Sequence, residues 1–121
     1  MINCYCDGSA VKNACGWAFV RDDGTIKSGA VWHQGSNVAE LLAVIEALAS
    51  FSRASHVCIH TDCHYVILGA SKRTKHDGKF WAEFDLWKSF HKSVQVVKVD
   101  EHKLHRQAHH LARAAVFEAL K

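Results

Sequence analysis

Asn37-Val38-Ala39-Glu40-Leu41-Leu42-Ala43-Val44-Ile45-Glu46-Ala47-Leu48, followed shortly by His56-Val57-Cys58-Ile59-His60-Thr61-Asp62, is the passage on which the fold turns. Leu41, Val44, Ile45 and Leu48 recur at helical spacing, which predicts a helix from about Asn37 to Phe51 with Ser36 or Asn37 as its N-cap. The second segment reads as a buried strand with Asp62 at its carboxyl end. Upstream the pattern is that of hairpins. Ile2-Asn3-Cys4-Tyr5-Cys6 alternates into Asp7-Gly8-Ser9, Gly16-Trp17-Ala18-Phe19-Val20 reaches the turn Asp22-Asp23-Gly24, and a third strand is expected from Thr25 to about Val31. Downstream come a short helical stretch through Tyr65-Val66-Ile67-Leu68 that Gly69 should close, a basic loop from Ala70 to Lys79, and a helix from Trp81 to His91. A strand from Val94 to Val99 and a helix from Arg106 to Leu120 complete the chain. The order β-β-β-α-β-α-α-β-α predicts an α/β fold, one mixed sheet with helices on both faces.

The 121 residues suit a single domain, 1–121. Hydrophobic residues make up 49% and charged residues 22%, ordinary globular usage that argues against disorder, collagen and coiled coil. No apolar run approaches the roughly 18 residues a membrane span needs, and Met1-Ile2-Asn3-Cys4 has neither a basic leader nor a cleavable apolar stretch. A cytoplasmic protein without membrane contact is therefore expected, and a monomer. The five cysteines are an odd number, which reads as reduced thiols. Cys4 and Cys6, two apart in a strand, should share its core-facing side. Charge is uneven: residues 1–71 carry four Lys/Arg against six Asp/Glu, residues 72–121 eleven against six. A basic C-terminal half suits a polyanionic partner, bound by neutralising phosphates.

Three acids fall where an open α/β sheet places its chemistry: Asp7 in or just ending the first strand, Glu40 in the first helix, and Asp62 after the fourth strand. Asp7 and Asp62 should both be partly buried, and buried carboxylates without a cation repel one another. Hard oxygen donors converging in this way suit Mg²⁺ or Mn²⁺, and a two-metal site of that kind can activate water and stabilise the leaving oxygen of a phosphodiester. Taken singly, each acid also has a bland reading: Asp before Gly-Ser is a common turn residue, Glu early in a helix favours the dipole, and Thr-Asp can cap a helix.

The ordered set Tyr5-Cys6-Asp7-Gly8-Ser9, Asn37-Val38-Ala39-Glu40-Leu41-Leu42-Ala43 leading into Ile45-Glu46-Ala47-Leu48, Thr61-Asp62-Cys63-His64-Tyr65-Val66, and Ala108-His109-His110-Leu111-Ala112 resembles the type 1 ribonucleases H. The 22-residue interval from Glu40 to Asp62 fits a helix and return strand in that fold, and Phe84-Asp85-Leu86-Trp87 looks like the family's helix before the fifth strand. The resemblance implies a ribonuclease H-like sheet of three antiparallel strands plus two parallel ones. It implies hydrolysis of the RNA strand of an RNA–DNA hybrid, giving 5′-phosphate and 3′-hydroxyl ends, by two divalent ions on four acidic residues. Asp7 would bridge both ions, Asp62 would hold the ion that activates water, and Glu40 would hold the second, near the scissile nucleotide and its 2′-hydroxyl. Asn37 matches a position that reads the hybrid's minor groove, where the 2′-hydroxyl distinguishes RNA from DNA. Gly8 and Ser9, in the first of these motifs, are expected substrate contacts.

The chain departs from the family in three places. His109 stands where the family has its fourth acid, and an imidazole there can ligate a metal but brings no negative charge, which would move preference toward Mn²⁺. The alternative is a solvent-facing His109 with three carboxylates sufficing. His64 replaces a substrate-contacting Gln, and imidazole can still hydrogen-bond or stack there. The basic, Trp-containing handle of larger relatives is curtailed to Ser71–Trp81, in which Lys72, Arg73 and Lys75 are expected on phosphates, Trp81 on a sugar or in the core, and Trp87 in the core. His102 or His105 could stand for the mobile histidine that many relatives place before the last helix. Two other functions compete: a catalytically weakened hybrid-binding module, and a zinc-binding regulator using His102, His105, His109 and His110, of which His105 and His109 are four apart on one helix face.

Overall fold

A computed structural model describes residues 1–72 and 78–121, so Arg73 and Lys75 lie outside the described residues. Its elements are β1 (Ile2–Val11), β2 (Ala14–Arg21), β3 (Ile26–Trp32), α1 (Ser36–Ala49), β4 (His56–Thr61), α2 (His64–Ser71), α3 (Gly78–Phe90), β5 (Ser93–Lys98) and α4 (Lys103–Ala119). The strands form one sheet in the order β3-β2-β1-β4-β5. β1–β2 and β2–β3 are antiparallel, whereas β1–β4 and β4–β5 are parallel, as the hairpins and the helix-linked strands require. No helix among the described residues is long and apolar enough to cross a membrane.

Strand alternation divides the interior in two. Cys4, Cys6, Trp17, Phe19, Val57 and Ile59 face α1 and α3 in the main core, joined by Leu41, Val44, Leu48, Trp81 and Phe84. On the opposite face Ala18 and Val20 meet Ala108 and Ala112 of α4, with Leu104 and Leu111 at the margin. Cys4 and Cys6 are fully buried free thiols, as their spacing requires, and desolvation pushes Cys4 up to about 12.

Several local expectations are corrected. α1 is capped by Gly35 at φ 104, not by a Ser36 or Asn37 side chain; the turn out of β3 needs that left-handed backbone, and Ser36 is already helical. Gly69 does not close α2, which continues to Ser71. It lies where the Trp81 ring packs, and a side chain there would collide with that ring. Ala70, Ser71, Gly78 and Lys79 belong to α2 and α3, not to a loop. Of the two places expected for Trp81, a sugar contact or the core, the core one holds: it is buried, and its Nε1–H donates to the Tyr65 hydroxyl at 2.8 Å. Trp87 is partly buried against the same core.

Candidate active site

Asp7 lies midway along β1, opposite Ala18 and on the strand face that looks toward α4. It is only 4% exposed. Gly8, on the other face, lets α1 approach so closely that a Cβ would overlap the Ala39 carbonyl carbon and the Glu40 amide. That approach carries Glu40 to the strand, where the Gly8 N–H donates to Glu40 Oε1 at 2.5 Å. Asp62 follows β4 immediately, which runs parallel to β1, so its carboxylate reaches the same end of the sheet. The expected burial of Asp62 is corrected: its side chain is 49% exposed because β4 ends at Thr61 and the chain turns outward into α2.

α4 completes the site from the other side. His109 Nδ1–H donates to Asp7 Oδ2 at 2.7 Å. One turn earlier, the buried His105 places Nε2 3.9 Å from Asp7 Oδ1 and 4.0 Å from Asp62 Oδ2. Asp7, Asp62 and His105 could together hold a metal ion, their donor atoms all lying within 4.8 Å of one another. Among the described residues no Lys or Arg pairs with Asp7, Glu40 or Asp62. Burial is the first reason the Glu40 carboxyl is pushed up to about 10; the neighbouring Asp7 charge and hydrogen bond, then the Asp62 charge, add to it, and the Gly8 amide partly offsets them.

This shift has a measurable consequence for protein stripped of metal. The folded state holds the Glu40 proton up to about pH 10, whereas the unfolded chain releases it near its ordinary value of 4.5. The unfolded state therefore binds fewer protons throughout that interval, and stability is lost as pH rises through it. Between pH ~7 and ~7.8, above most histidine titration and below that of free thiols, melting in chelator should drop with pH in the parent and drop less in Glu40→Gln. Parallel slopes would show that Glu40 is ionised in the fold.

The remaining expected contacts divide. Asn37, at the start of α1, meets Cys63 with Oδ1 3.8 Å from Sγ, so it stands beside the Asp62–His64 segment. His64 is exposed as the first residue of α2. Ser9 follows Gly8 on β1, half-buried. Lys72 caps the far end of α2, about 12 Å along the helix from His64, and is exposed. His102 is fixed as the α4 cap, its Nδ1 accepting from the Leu104 amide at 3.1 Å. Its ring stacks on Tyr5 at 4.2 Å, and Tyr5 stacks on His60 at 4.4 Å. Of the four histidines considered as a zinc cluster, His105 and His109 turn to Asp7, while His102 is on Tyr5 and His110 is exposed. The i, i+4 spacing marked His105; what sequence spacing could not supply was the side of α4 that meets Asp7.

The sequence model of the RNase H family matches residues 1–117. A ribonuclease H of Geotalea uraniireducens (strain Rf4) is 36% identical over 76 residues, 59% of this chain, and the match covers 52% of that relative, about half its length. Among solved structures, the N-terminal RNase H domain of rv2228c from Mycobacterium tuberculosis, studied as a maltose-binding-protein fusion, superposes with TM-score 0.82 at 19% identity, covering 98% of this chain and 95% of that one. LC11-RNase H1, solved in complex with an RNA/DNA hybrid, superposes with TM-score 0.81 at 21% identity over 100% of both chains.

Proposed function

The chain belongs to the RNase H family, and we propose that it is an endoribonuclease that hydrolyses the RNA strand of RNA–DNA hybrids, leaving 5′-phosphate and 3′-hydroxyl ends. One observation carries this reading: Asp7, Glu40 and Asp62 meet at one end of the sheet without a neutralising Lys or Arg among the described residues. The donor set fits divalent cations. Burial first, and then the neighbouring Asp7 and Asp62 charges, raise Glu40, and a bound cation would offset both; His105 Nε2 is buried beside the acids without a hydrogen-bond partner among the described residues.

Asp7, Glu40 and Asp62, with His109 in the fourth position, would hold two ions, Mg²⁺ or Mn²⁺. Such ions supply an activated water and stabilise the charge that develops on the leaving oxygen. Asp7 is suited to bridging because its two oxygens face different neighbours, Oδ1 toward His105 and Oδ2 toward His109. Gly8, Ser9, Asn37 and His64 would contact the hybrid near the scissile bond, Asn37 at the minor groove. Lys72, Arg73 and Lys75 would neutralise phosphates further along the duplex. Residues 1–121 act in this reading as one domain.

The test is incubation with end-labelled RNA–DNA hybrid, double-stranded RNA and double-stranded DNA, each in Mg²⁺ and in Mn²⁺. Selective cutting of the hybrid's RNA strand is expected. Absent cleavage with retained, salt-sensitive hybrid binding would instead favour a binding module, a reading supported by a histidine at position 109 in place of an acid. His109→Asp restores an oxygen donor and a negative charge. It should raise the ratio of Mg²⁺- to Mn²⁺-supported rate by roughly tenfold, the scale on which ligand environment tunes metal centres. An unchanged ratio would place His109 outside the ion shell.

A further inference from the structure

We propose that His105 is a direct metal ligand, and that the ion between Asp7 and Asp62 therefore sits in a mixed nitrogen–oxygen site that takes a borderline-soft transition ion such as Zn²⁺ in preference to Mg²⁺. The inference rests on the reading of Asp7 and Asp62 as ion ligands and adds a donor from a different helical turn than His109. It is carried by a contrast between two imidazoles on one helix face. His109 closes on Asp7 to 2.7 Å, an ordinary charge-assisted hydrogen bond. His105 does not close on either acid. Its Nε2 stands 3.9 Å from one carboxylate and 4.0 Å from the other, beyond hydrogen-bond reach of both.

Nothing else among the described residues satisfies that nitrogen. His105 is 8% exposed, and Nε2 is a buried polar atom without a hydrogen-bond partner. A buried nitrogen is rarely left in that state unless something outside the protein chain completes it. Three donors around an ion at about 2.1 Å lie about 3.4–3.7 Å apart, so the two His105 separations need to close by only a few tenths of an ångström, and the two carboxylate oxygens, within 4.8 Å of each other, by at most about 1.4 Å. The half-exposed Asp62 side chain has the freedom to supply that movement. Imidazole nitrogen suits Zn²⁺, Co²⁺ and Ni²⁺, whereas Mg²⁺ prefers oxygen and keeps several waters.

The test is calorimetric titration of metal-stripped protein with Zn²⁺, Mn²⁺ and Mg²⁺, without nucleic acid, in the parent and in His105→Ala and His105→Asn. Zn²⁺ should bind the parent at least 100-fold more tightly than Mg²⁺, and both variants should lose at least about 10-fold in Zn²⁺ affinity, the cost of losing even an outer partner of a ligand, with less than a threefold change for Mg²⁺. Circular dichroism checks that the variants fold. A measurement on the unaltered chain does not depend on them: in ¹H–¹⁵N imidazole spectra, Zn²⁺ should move the His105 Nε2 resonance to that of a metal-bound nitrogen and leave His102 and His110 in place. An unmoved His105 resonance, or Zn²⁺ affinity equal in parent and variants, overturns the proposal. Hybrid cleavage is scored separately, so a protein that binds Zn²⁺ through His105 but cuts no hybrid would sink the nuclease reading and leave this one standing.

Discussion

Asp7→Asn should abolish hybrid cleavage, with kcat lowered by about 10³-fold or more, while the protein stays folded. The carboxylate is the shared element of the site: one oxygen faces His105, the other accepts from His109, and its charge is among the causes that raise Glu40. Replacing one oxygen by an amide removes the negative charge on which both ions would depend, and metal stabilisation of transition-state charge amounts to several kcal/mol, about a thousandfold in rate. The amide is nearly isosteric, and its carbonyl can still accept from His109. It also removes one of the causes that hold the Glu40 proton, so the melting temperature in chelator should fall less steeply with pH than the parent's. Cleavage persisting within tenfold of the parent would remove Asp7 from the chemistry; a large drop in melting temperature would make the activity loss uninformative.

Gly8→Ala should damage stability and activity together. The added methyl would overlap backbone atoms, the Ala39 carbonyl carbon and the Glu40 amide, which cannot rotate away as a side chain can. β1 and α1 must then separate, and overpacking of this kind costs about 1–3 kcal/mol or more. The same displacement draws Glu40 off the Gly8 N–H that positions it. A misplacement near 1 Å can cost about 10²-fold in rate, so the folded fraction of Gly8→Ala should cut hybrid at about a hundredth of the parental rate. Chemical denaturation and single-turnover assays measure the two losses separately. Parental activity per folded molecule would mean that Glu40's position is set by α1 alone.

The order of elements was legible because each strand and helix carries its own hydrophobic period, and the sheet follows from short hairpins and right-handed crossovers. Asp7, Glu40 and Asp62 could be singled out for the same reason: their places relative to strand ends follow from those periods. What depended on partners distant in sequence could not be read. Gly69 resembles a helix terminator until Trp81 packs on it, and Trp81 reads equally as a sugar contact or a core anchor until Tyr65 accepts its indole N–H. The exposure of Asp62 depends on where β4 stops, a boundary the pattern leaves loose by a residue or two. His105 was visible as one of a pair four residues apart, but its approach to two carboxylates depends on how α4 is rotated against the sheet.

The contact between α4 and the sheet is built largely from alanine, with Ala108 and Ala112 against Ala18, and with Gly16 beneath the Ala112 carbonyl. Such small residues act as a shim whose thickness sets how far an imidazole on that helix can extend. Substitution should accordingly act differently on the two sides of the sheet: bulkier groups in this buried seam would lift the histidines out of range as well as cost stability, whereas trimming Phe19 or Phe84 on the opposite side would lower stability without moving the histidines.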